Sequence, residues 1–199
     1  MFEILEYTYM KTFQDKIYVS KFKPELRVKV LQSLESGEFE TNNHNLAGDI
    51  EKELVLACEA EDKFPIGEFL YLDVKNELLR HMNNLAASIK NIDVGALWVN
   101  FQKPTEYNPS HSHGGDFSFV WYLDIPDEIR QEHTKQKSNQ ESWTRGLIEF
   151  QSQHTNDKHK LNPQTDDFLL FRSDHLHQVY PFYSDNTRIS VSGNITVKE

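Results

Sequence analysis

Apolar residues at helical spacing dominate the chain up to about residue 90. Apolar positions that recur every three or four residues form one face of an α-helix. This spacing predicts helices over Pro24–Leu34, about Asp49–Ala60 and about Pro65–Lys90. The last of these has the longest repeat, which includes Leu78 and Met82.

Beyond residue 91 the apolar runs become short and are separated by Gly, Pro, Asn and Asp. Such runs are typical of β-strands. They lie near Val94–Asn100, Phe117–Asp124, Gly146–Phe150, Phe168–Phe171, Val179–Phe182 and Arg188–Val197. The sequence therefore predicts a mainly β fold with N-terminal helices, built on a double-stranded β-helix (jelly-roll) core.

The length of the chain favours one domain over residues 1–199. Within it we expect a mostly helical part, residues 1–92, to pack on a jelly-roll core formed by residues 93–199. Residues 127–144 are strongly polar and are interpreted as a mobile insertion in that core.

The composition excludes several function classes. The formal net charge of −10 disfavours binding to nucleic-acid phosphates, because such binding needs a concentrated basic face. Cys58 is the only cysteine, so neither an internal disulfide nor a zinc–thiolate cluster can form. No apolar run approaches the ~18 residues of a membrane span, and the first residues lack the pattern of a secretory signal. We expect a cytoplasmic protein with no nucleic-acid or membrane partner.

A cluster of metal-ligand side chains begins at His111. His111 and His113 are two residues apart, so on a strand both side chains point to one face. Asp116 follows two glycines that can fold its carboxylate back towards the same place. His177 is expected to complete the set from a second strand. Three such ligands on one side of a metal, with the other side open, are what a non-haem Fe(II) site requires.

The remaining histidines are weaker candidates. His175 alternates with His177 and would share its face on a strand, but His177 is preferred because of the residues that follow it. His81, on the longest predicted helix, is interpreted as a packing or surface residue. Histidines in polar segments are expected to be solvated: His133, His154 and His159.

Arg188 and Ser190 begin the last predicted strand, eleven residues after His177. Being two apart, they share one face of that strand. A guanidinium with a neighbouring hydroxyl is well suited to binding a carboxylate.

Together these residues resemble the Fe(II)/2-oxoglutarate-dependent dioxygenases. In that superfamily a His-x-Asp/Glu…His triad holds iron, and an Arg-x-Ser motif after the second histidine binds the far carboxylate of 2-oxoglutarate. Residues 108–116 and 173–181 are similar to a group of oxygenases that often occurs in phage genomes and lacks assigned substrates. The resemblance covers about residues 94–196.

The resemblance implies Fe(II) as the metal and 2-oxoglutarate as the cosubstrate. It assigns His111 and His177 to iron, and Arg188 with Ser190 to the far carboxylate. Tyr122 is a further candidate for that carboxylate, because the prolyl-hydroxylase branch has a tyrosine at the matching place. Trp98 and Asn100, two residues apart on the preceding strand, share a face and could line the pocket, but packing in the core is the preferred interpretation.

The third iron ligand stays open at this point. The family motif has an acid where this chain has His113. Strand geometry favours His113, whereas the lower net charge of the site favours Asp116. Water is a third option, as in the aspartyl/asparaginyl β-hydroxylases.

The function implied is a dioxygenase that uses dioxygen to hydroxylate a peptide side chain or a small metabolite. Residues 93–199 would be the catalytic core, and the 127–144 insertion is a candidate lid. One alternative is a cupin-like metal protein that does not use 2-oxoglutarate and has no need of the Arg-x-Ser motif. The other is a non-catalytic binding protein on the same scaffold. The sequence selects neither the substrate nor the oligomeric state.

Overall fold

Two antiparallel β-sheets and two long helices make up the protein, as a computed structural model shows for residues 16–41, 48–134, 144–152 and 157–198. The helices are α1 (Pro24–Ser36), α2 (Glu68–Leu85) and the short α3 (Asp127–Gln131). The strands are β1 (Tyr18–Lys21), β2 (Glu53–Cys58), β3 (Asn91–Gln102), β4 (Asn108–His111), β5 (Phe117–Asp124), β6 (Ile148–Gln151), β7 (Lys158–Leu161), β8 (Asp167–Arg172), β9 (Leu176–Val179) and β10 (Arg188–Lys198).

The larger sheet has the strand order β1-β8-β5-β10-β3-β2, and the smaller sheet has the order β4-β9-β6-β7. Every pairing is antiparallel. Residues of both sheets line one cavity of about 390 Å³. The predicted mainly β fold with N-terminal helices and a jelly-roll core is confirmed.

The larger sheet separates two hydrophobic cores, and strand alternation decides which residue enters which core. Phe119 and Trp121 of β5 pack with α1 and α2 on the outer face. Val120 and Tyr122 of the same strand belong to the inner core, beneath the smaller sheet. The helices therefore cover the back of the larger sheet and leave its inner face to the cavity.

The helix predicted over Asp49–Ala60 is wrong, because Glu53–Cys58 is strand β2. Its apolar residues fit a helical repeat, but a short apolar run also fits a strand that is buried on both faces. Here the run pairs with β3, and Leu56 is buried among the core residues. Within the described residues the N-terminal part thus contributes two helices and also the two edge strands of the larger sheet, β1 and β2.

Two further expectations differ from the structure in position. The strand expected over Val179–Phe182 is Leu176–Val179 instead, so that His177 lies within it. The insertion expected over residues 127–144 begins with α3 and a 3₁₀ turn over Glu132–Thr134. Its residues 135–143 lie outside the described part of the chain.

Helix α2 confirms the longest predicted helix with shorter bounds. Gly67 precedes it with φ of 87°, a conformation that favours glycine. Among the helices of the described residues, none combines the length and the apolar character needed to cross a membrane.

Candidate metal and cosubstrate site

Three histidines from two separate stretches of chain meet at the inner side of the smaller sheet. His111, His113 and His177 offer ligand nitrogens that all lie within 4.8 Å of one another. The ring centroids of His111 and His177 are 4.2 Å apart, and His113 is 4.8 Å from the first and 5.1 Å from the second. Three imidazoles at this separation can share one metal ion.

Backbone pairing of β4 with β9 brings this triad together. His111 is the register partner of His177 in that pairing. His113 lies just beyond β4, where its backbone N–H donates to the carbonyl of Ser173 at 2.9 Å. The triad is therefore fixed by the ladder of the smaller sheet and by the turn that precedes β9.

Local hydrogen bonds orient two of the rings. His111 Nδ1 lies 2.7 Å from the carbonyl oxygen of Pro109, and His177 Nδ1 lies 3.0 Å from that of His175. A carbonyl oxygen only accepts, so each Nδ1 carries the proton and donates it. This tautomer leaves Nε2 as the free lone pair on both rings, which is how outer-shell partners orient metal-binding histidines.

Burial keeps the triad uncharged. It lowers the pKa of His177 to about 3 and that of His113 to about 4, and the proximity of His111 contributes to both shifts. Burial also lowers the pKa of His111. All three rings are therefore neutral near pH 7, the form in which imidazole binds a metal.

Asp116 lies apart from the triad. The glycine pair does turn the chain, with Gly115 at φ of 91°, but the turn directs Asp116 towards β10. Its Oδ2 accepts a hydrogen bond from the Val197 N–H at 2.8 Å, and its own N–H donates to the Ile195 carbonyl at 2.9 Å. Of the two side chains considered for the third ligand, His113 lies beside the other histidines, whereas Asp116 is hydrogen-bonded to β10.

A buried guanidinium lines the same cavity. Arg188 is 2% exposed and donates from Nε to Gln102 Oε1 at 2.9 Å and from Nη1 to the Gly146 carbonyl at 2.6 Å. Its Nη2 also donates to Gln102 Oε1. These acceptors are uncharged, and although burial lowers the pKa of Arg188, arginine stays protonated in proteins. The cavity therefore contains a positive charge that its hydrogen-bond partners do not neutralise.

Ser190 and Tyr122 lie next to Arg188 on the inner face of the larger sheet. They are register partners across β10 and β5, and both line the cavity. The Tyr122 hydroxyl is buried and has no hydrogen-bond partner among the described residues. Burial raises its pKa to about 12, so it is a neutral hydroxyl with a proton to donate.

Several cavity residues escaped the sequence reasoning. Trp98 and Asn100 were expected to pack, yet both line the cavity, as do Gln102 and Asn108. The available signal was the alternation of Trp98, Asn100 and Gln102 along β3, which puts them on one face. Pattern alone could not tell which face of that strand carries the cavity.

The other histidines take no part in the triad. His175 is buried in the turn before β9, so strand alternation does not apply to it. His81 packs against Phe22 and Phe168 on the far side of the larger sheet, as its interpretation as a packing residue predicts. Among the three histidines expected to be solvated, His159 is exposed and His154 lies outside the described residues. His133 is half-buried, and its Nδ1 donates to the Arg130 carbonyl at 2.8 Å.

Comparisons with known proteins agree with this geometry. A family described as "Putative 2OG-Fe(II) oxygenase" matches residues 96–194, the segment that contains the triad and Arg188. Among curated protein sequences, none matches the chain.

Three solved structures illustrate the similarity of fold. An oxidoreductase of the 2OG-Fe(II) oxygenase family from Burkholderia pseudomallei has a TM-score of 0.66 at 11% identity, covering 94% of this chain and 89% of its own. A prolyl hydroxylase from Trichoplax adhaerens, in complex with a hypoxia inducible factor peptide fragment, has a TM-score of 0.58 at 14% identity, covering 94% and 84%. HygX from Streptomyces hygroscopicus, with nickel, 2-oxoglutarate and hygromycin B bound, has a TM-score of 0.62 at 9% identity, covering 98% and 87%.

The fold, the family match and the histidine cluster define a non-haem oxygenase scaffold. Residues 96–194 match the 2OG-Fe(II) oxygenase family, which places this part of the chain in the Fe(II)/2-oxoglutarate-dependent oxygenase superfamily. The predicted cofactors of this chain, Fe(II) and 2-oxoglutarate, are confirmed at the level of that family.

Proposed function

We propose that this protein is an Fe(II)- and 2-oxoglutarate-dependent dioxygenase that hydroxylates a peptide side chain or a small metabolite. One observation carries the proposal. Three neutral imidazoles whose ligand atoms lie within 4.8 Å of one another share a cavity with a buried guanidinium. A metal and a diacid are the two groups that this pair of features fits.

His111, His113 and His177 are the proposed iron ligands. Imidazole is a suitable donor for Fe(II), and the Nδ1 protons of His111 and His177 are already held by backbone carbonyls. This set has no carboxylate, so the site would keep the full positive charge of the ion. Anionic groups of a cosubstrate would therefore bind strongly beside it.

Arg188, Ser190 and Tyr122 are the proposed contacts of the far carboxylate of 2-oxoglutarate. A carboxylate would neutralise the buried Arg188 and give the Tyr122 hydroxyl the hydrogen-bond acceptor that the described residues do not provide. A hydrogen bond between charged groups in a buried site is worth about 1.5–3 kcal/mol. Removal of the charge at Arg188 should therefore affect the cosubstrate more than the metal.

When bound, iron and 2-oxoglutarate supply the oxidising chemistry, in which dioxygen places one oxygen atom in the substrate and the other in succinate. The chain orients the bound groups and excludes water from one side of the site. Phe171 contacts the ring of His177, with centroids 4.9 Å apart, and Ile148 and Val120 line the same cavity. These side chains exclude water from the face of the triad that lies against the core.

The structural neighbours support the two proposed substrate classes, a peptide side chain and a small metabolite. The Trichoplax adhaerens relative is described with a peptide fragment and HygX with hygromycin B, so this fold accommodates both peptides and small molecules. A cupin-like protein without 2-oxoglutarate is not favoured, because the family match includes Arg188 and Ser190.

Anaerobic addition of Fe(II) and 2-oxoglutarate tests the proposal. We expect a weak visible charge-transfer band that is lost in His177→Ala and retained in the exposed control variant His159→Ala. Succinate release in air should follow the same pattern. Absence of the band from the intact protein would contradict the proposal, and a band without succinate release would favour a non-catalytic binding protein.

A further inference from the structure

Resting on the proposed function, we propose that Gln102 is a positioning residue that makes the site select a cosubstrate with two carboxylates. Its uncharged side chain fixes the direction of the Arg188 guanidinium and leaves the charge of that group for the far carboxylate of 2-oxoglutarate. Both residues line the cavity of the histidine triad, and they are register partners across β10 and β3.

The polarity of the Gln102 amide is fixed by its surroundings. Its Nε2 donates to the backbone carbonyls of Glu106 at 2.6 Å and of Tyr180 at 3.4 Å. Because a carbonyl oxygen only accepts, the amide nitrogen has to face these two groups, and Oε1 has to face Arg188. Gln102 is also buried, so water does not offer the amide another set of partners. The side chain is therefore an acceptor for Arg188 with one orientation.

Gln102 occupies one edge of the guanidinium. Its Oε1 accepts from both Nε and Nη2 of Arg188, and the Gly146 carbonyl accepts from Nη1. A guanidinium has five N–H groups in a planar fork, so these bonds leave one N–H on Nη1 and one on Nη2. The described residues provide no further acceptor for either group. Two such N–H groups on neighbouring nitrogens can bind a carboxylate bidentately.

The neutrality of Gln102 has a separate effect, which concerns charge. The acceptors of Arg188 in the described chain are an amide oxygen and a backbone carbonyl, and neither carries a charge. A carboxylate at position 102 would pair with the guanidinium and cancel its attraction for a second carboxylate. Water screens buried charges only weakly, so this difference between an amide and a carboxylate is large.

Gln102 lies apart from the metal ligands and from the cavity wall at β2. The triad belongs to the smaller sheet and the turn after β4, whereas Gln102 is on β3 of the larger sheet. Glu53 lines the cavity from β2, the edge strand beyond β3, and that wall remains for the substrate. A change at Gln102 should therefore alter the choice of keto acid without altering the affinity for metal.

Two keto acids that differ in the far carboxylate measure this selectivity. 2-Oxopentanoate shares the keto and C1 carboxylate groups of 2-oxoglutarate but has a methyl group in place of the C5 carboxylate. The Kd of each is measured anaerobically by titration of the charge-transfer band at fixed Fe(II). We expect the unaltered protein to bind 2-oxoglutarate about 10- to 100-fold more tightly than 2-oxopentanoate.

Gln102→Glu should remove most of that preference. The introduced carboxylate pairs with Arg188, so the Kd for 2-oxoglutarate should rise roughly 10- to 100-fold while that for 2-oxopentanoate changes less than about twofold. A merely structural disturbance would weaken both keto acids. The control Gln32→Glu makes the same substitution at an exposed position of α1 and should leave the ratio of the two Kd values unchanged.

Gln102→Met separates direction from charge, and it tests the inference if Gln102→Glu does not fold. Methionine is similar in length and uncharged, and its sulfur is only a weak acceptor. Arg188 would then keep its charge but lose the group that holds it. The Kd for 2-oxoglutarate should rise about three- to tenfold, and 2-oxoglutarate should still bind more tightly than 2-oxopentanoate.

Two results would overturn the inference. One is an unchanged ratio of the two Kd values in Gln102→Glu, and the other is an unchanged Kd for 2-oxoglutarate in Gln102→Met. Failure of the proposed function differs from both, because the charge-transfer band would be missing from the unaltered protein. Calorimetric titration of the metal-free protein with glutarate would then still test Gln102, since Gln102→Glu should lower the affinity for this diacid as well.

Discussion

Arg188 is an unusual residue for its position, because its buried guanidinium has neutral partners. Gln102 Oε1 accepts from two of its nitrogens, and the Gly146 carbonyl accepts from the third. Buried charges are normally paired with an opposite charge, because neutral hydrogen bonds do not fully offset the free energy that a charge loses when it leaves water. Within the described chain, Arg188 is thus held in position and retains the capacity to bind an anion.

Replacement of Arg188 by lysine should weaken 2-oxoglutarate and spare iron. Lysine keeps the charge but loses the planar pair of donors that match a carboxylate. Loss of charge-assisted hydrogen bonds of about 1.5–3 kcal/mol corresponds to a Kd for 2-oxoglutarate that is roughly 10- to 100-fold higher. Titration of the charge-transfer band at fixed Fe(II) measures this. Arg27→Lys, at an ion pair with Asp166 away from the cavity, is the control, and an unchanged Kd in Arg188→Lys would contradict the assignment.

At the scale of elements, the pairing of β4 with β9 determines where the site forms. Strand β4 has four residues and contains Pro109, so it has no hydrophobic alternation that a sequence pattern could reveal. The histidine set was nevertheless predictable, because residue type and spacing identify metal ligands without an assigned strand. The choice between His113 and Asp116 was not, since it depends on the direction of the turn at Gly115.

The wrong helix at β2 and the wrong packing role of Trp98 and Asn100 have a common cause. Strand β2 has apolar residues on both faces, so its sequence lacks the alternation of a half-buried strand and fits a helical repeat equally well. Trp98 and Asn100 were assigned to one face correctly, but that face borders the cavity only because the smaller sheet covers it. Both features are set by neighbouring elements that are distant in the sequence.

Helix α2 should make the stability of the fold sensitive to pH, through His81. Burial lowers the pKa of His81, and the Arg80 guanidinium, whose Nη2 is 2.9 Å from His81 Nε2, lowers it further. The unfolded chain therefore binds a proton more readily than the folded chain, so stability falls as the pH drops below about 6.5. The decline ends at the lowered pKa of His81 in the folded protein, below which both states bind the proton.

Denaturant unfolding of the metal-free protein between pH 5 and 8 checks this prediction. The triad histidines also titrate on unfolding, so the relevant quantity is the difference between the unaltered protein and His81→Gln. That variant should lose part of the decline in unfolding free energy below about pH 6.5, and the exposed control His159→Gln should keep it. Parallel pH curves for the unaltered protein and His81→Gln would contradict the prediction.

At the scale of the whole molecule, the proposed site is divided between the two sheets. The histidines belong to β4, β9 and the turn after β4, whereas Arg188, Ser190 and Tyr122 lie on the larger sheet. A 2-oxoglutarate molecule that contacts both groups would link the sheets. Binding of metal and diacid should therefore be mutually favourable, with a coupling free energy of about 1–3 kcal/mol.

Thermal unfolding with Ni(II), 2-oxoglutarate or both measures this coupling. A ligand that binds only the folded state raises the stability of that state, and the effects of two independent ligands add. If metal and diacid favour each other's binding, the stabilisation with both ligands should exceed the sum of the separate effects. Glutarate is a matched diacid without the keto group that chelates the metal, and it should show less coupling. Simple addition of the two stabilisations would indicate that metal and diacid bind independently.

The cavity wall at β2 lies outside the segment that matches the oxygenase family. Glu53 lies upstream of residues 96–194, the segment shared with the oxygenase family. The proposed iron and diacid contacts all lie within that segment, whereas the wall of the cavity at β2 does not. A chimera that replaces the part of the chain before about residue 96 would accordingly oxidise a different molecule and keep the proposed metal and 2-oxoglutarate contacts.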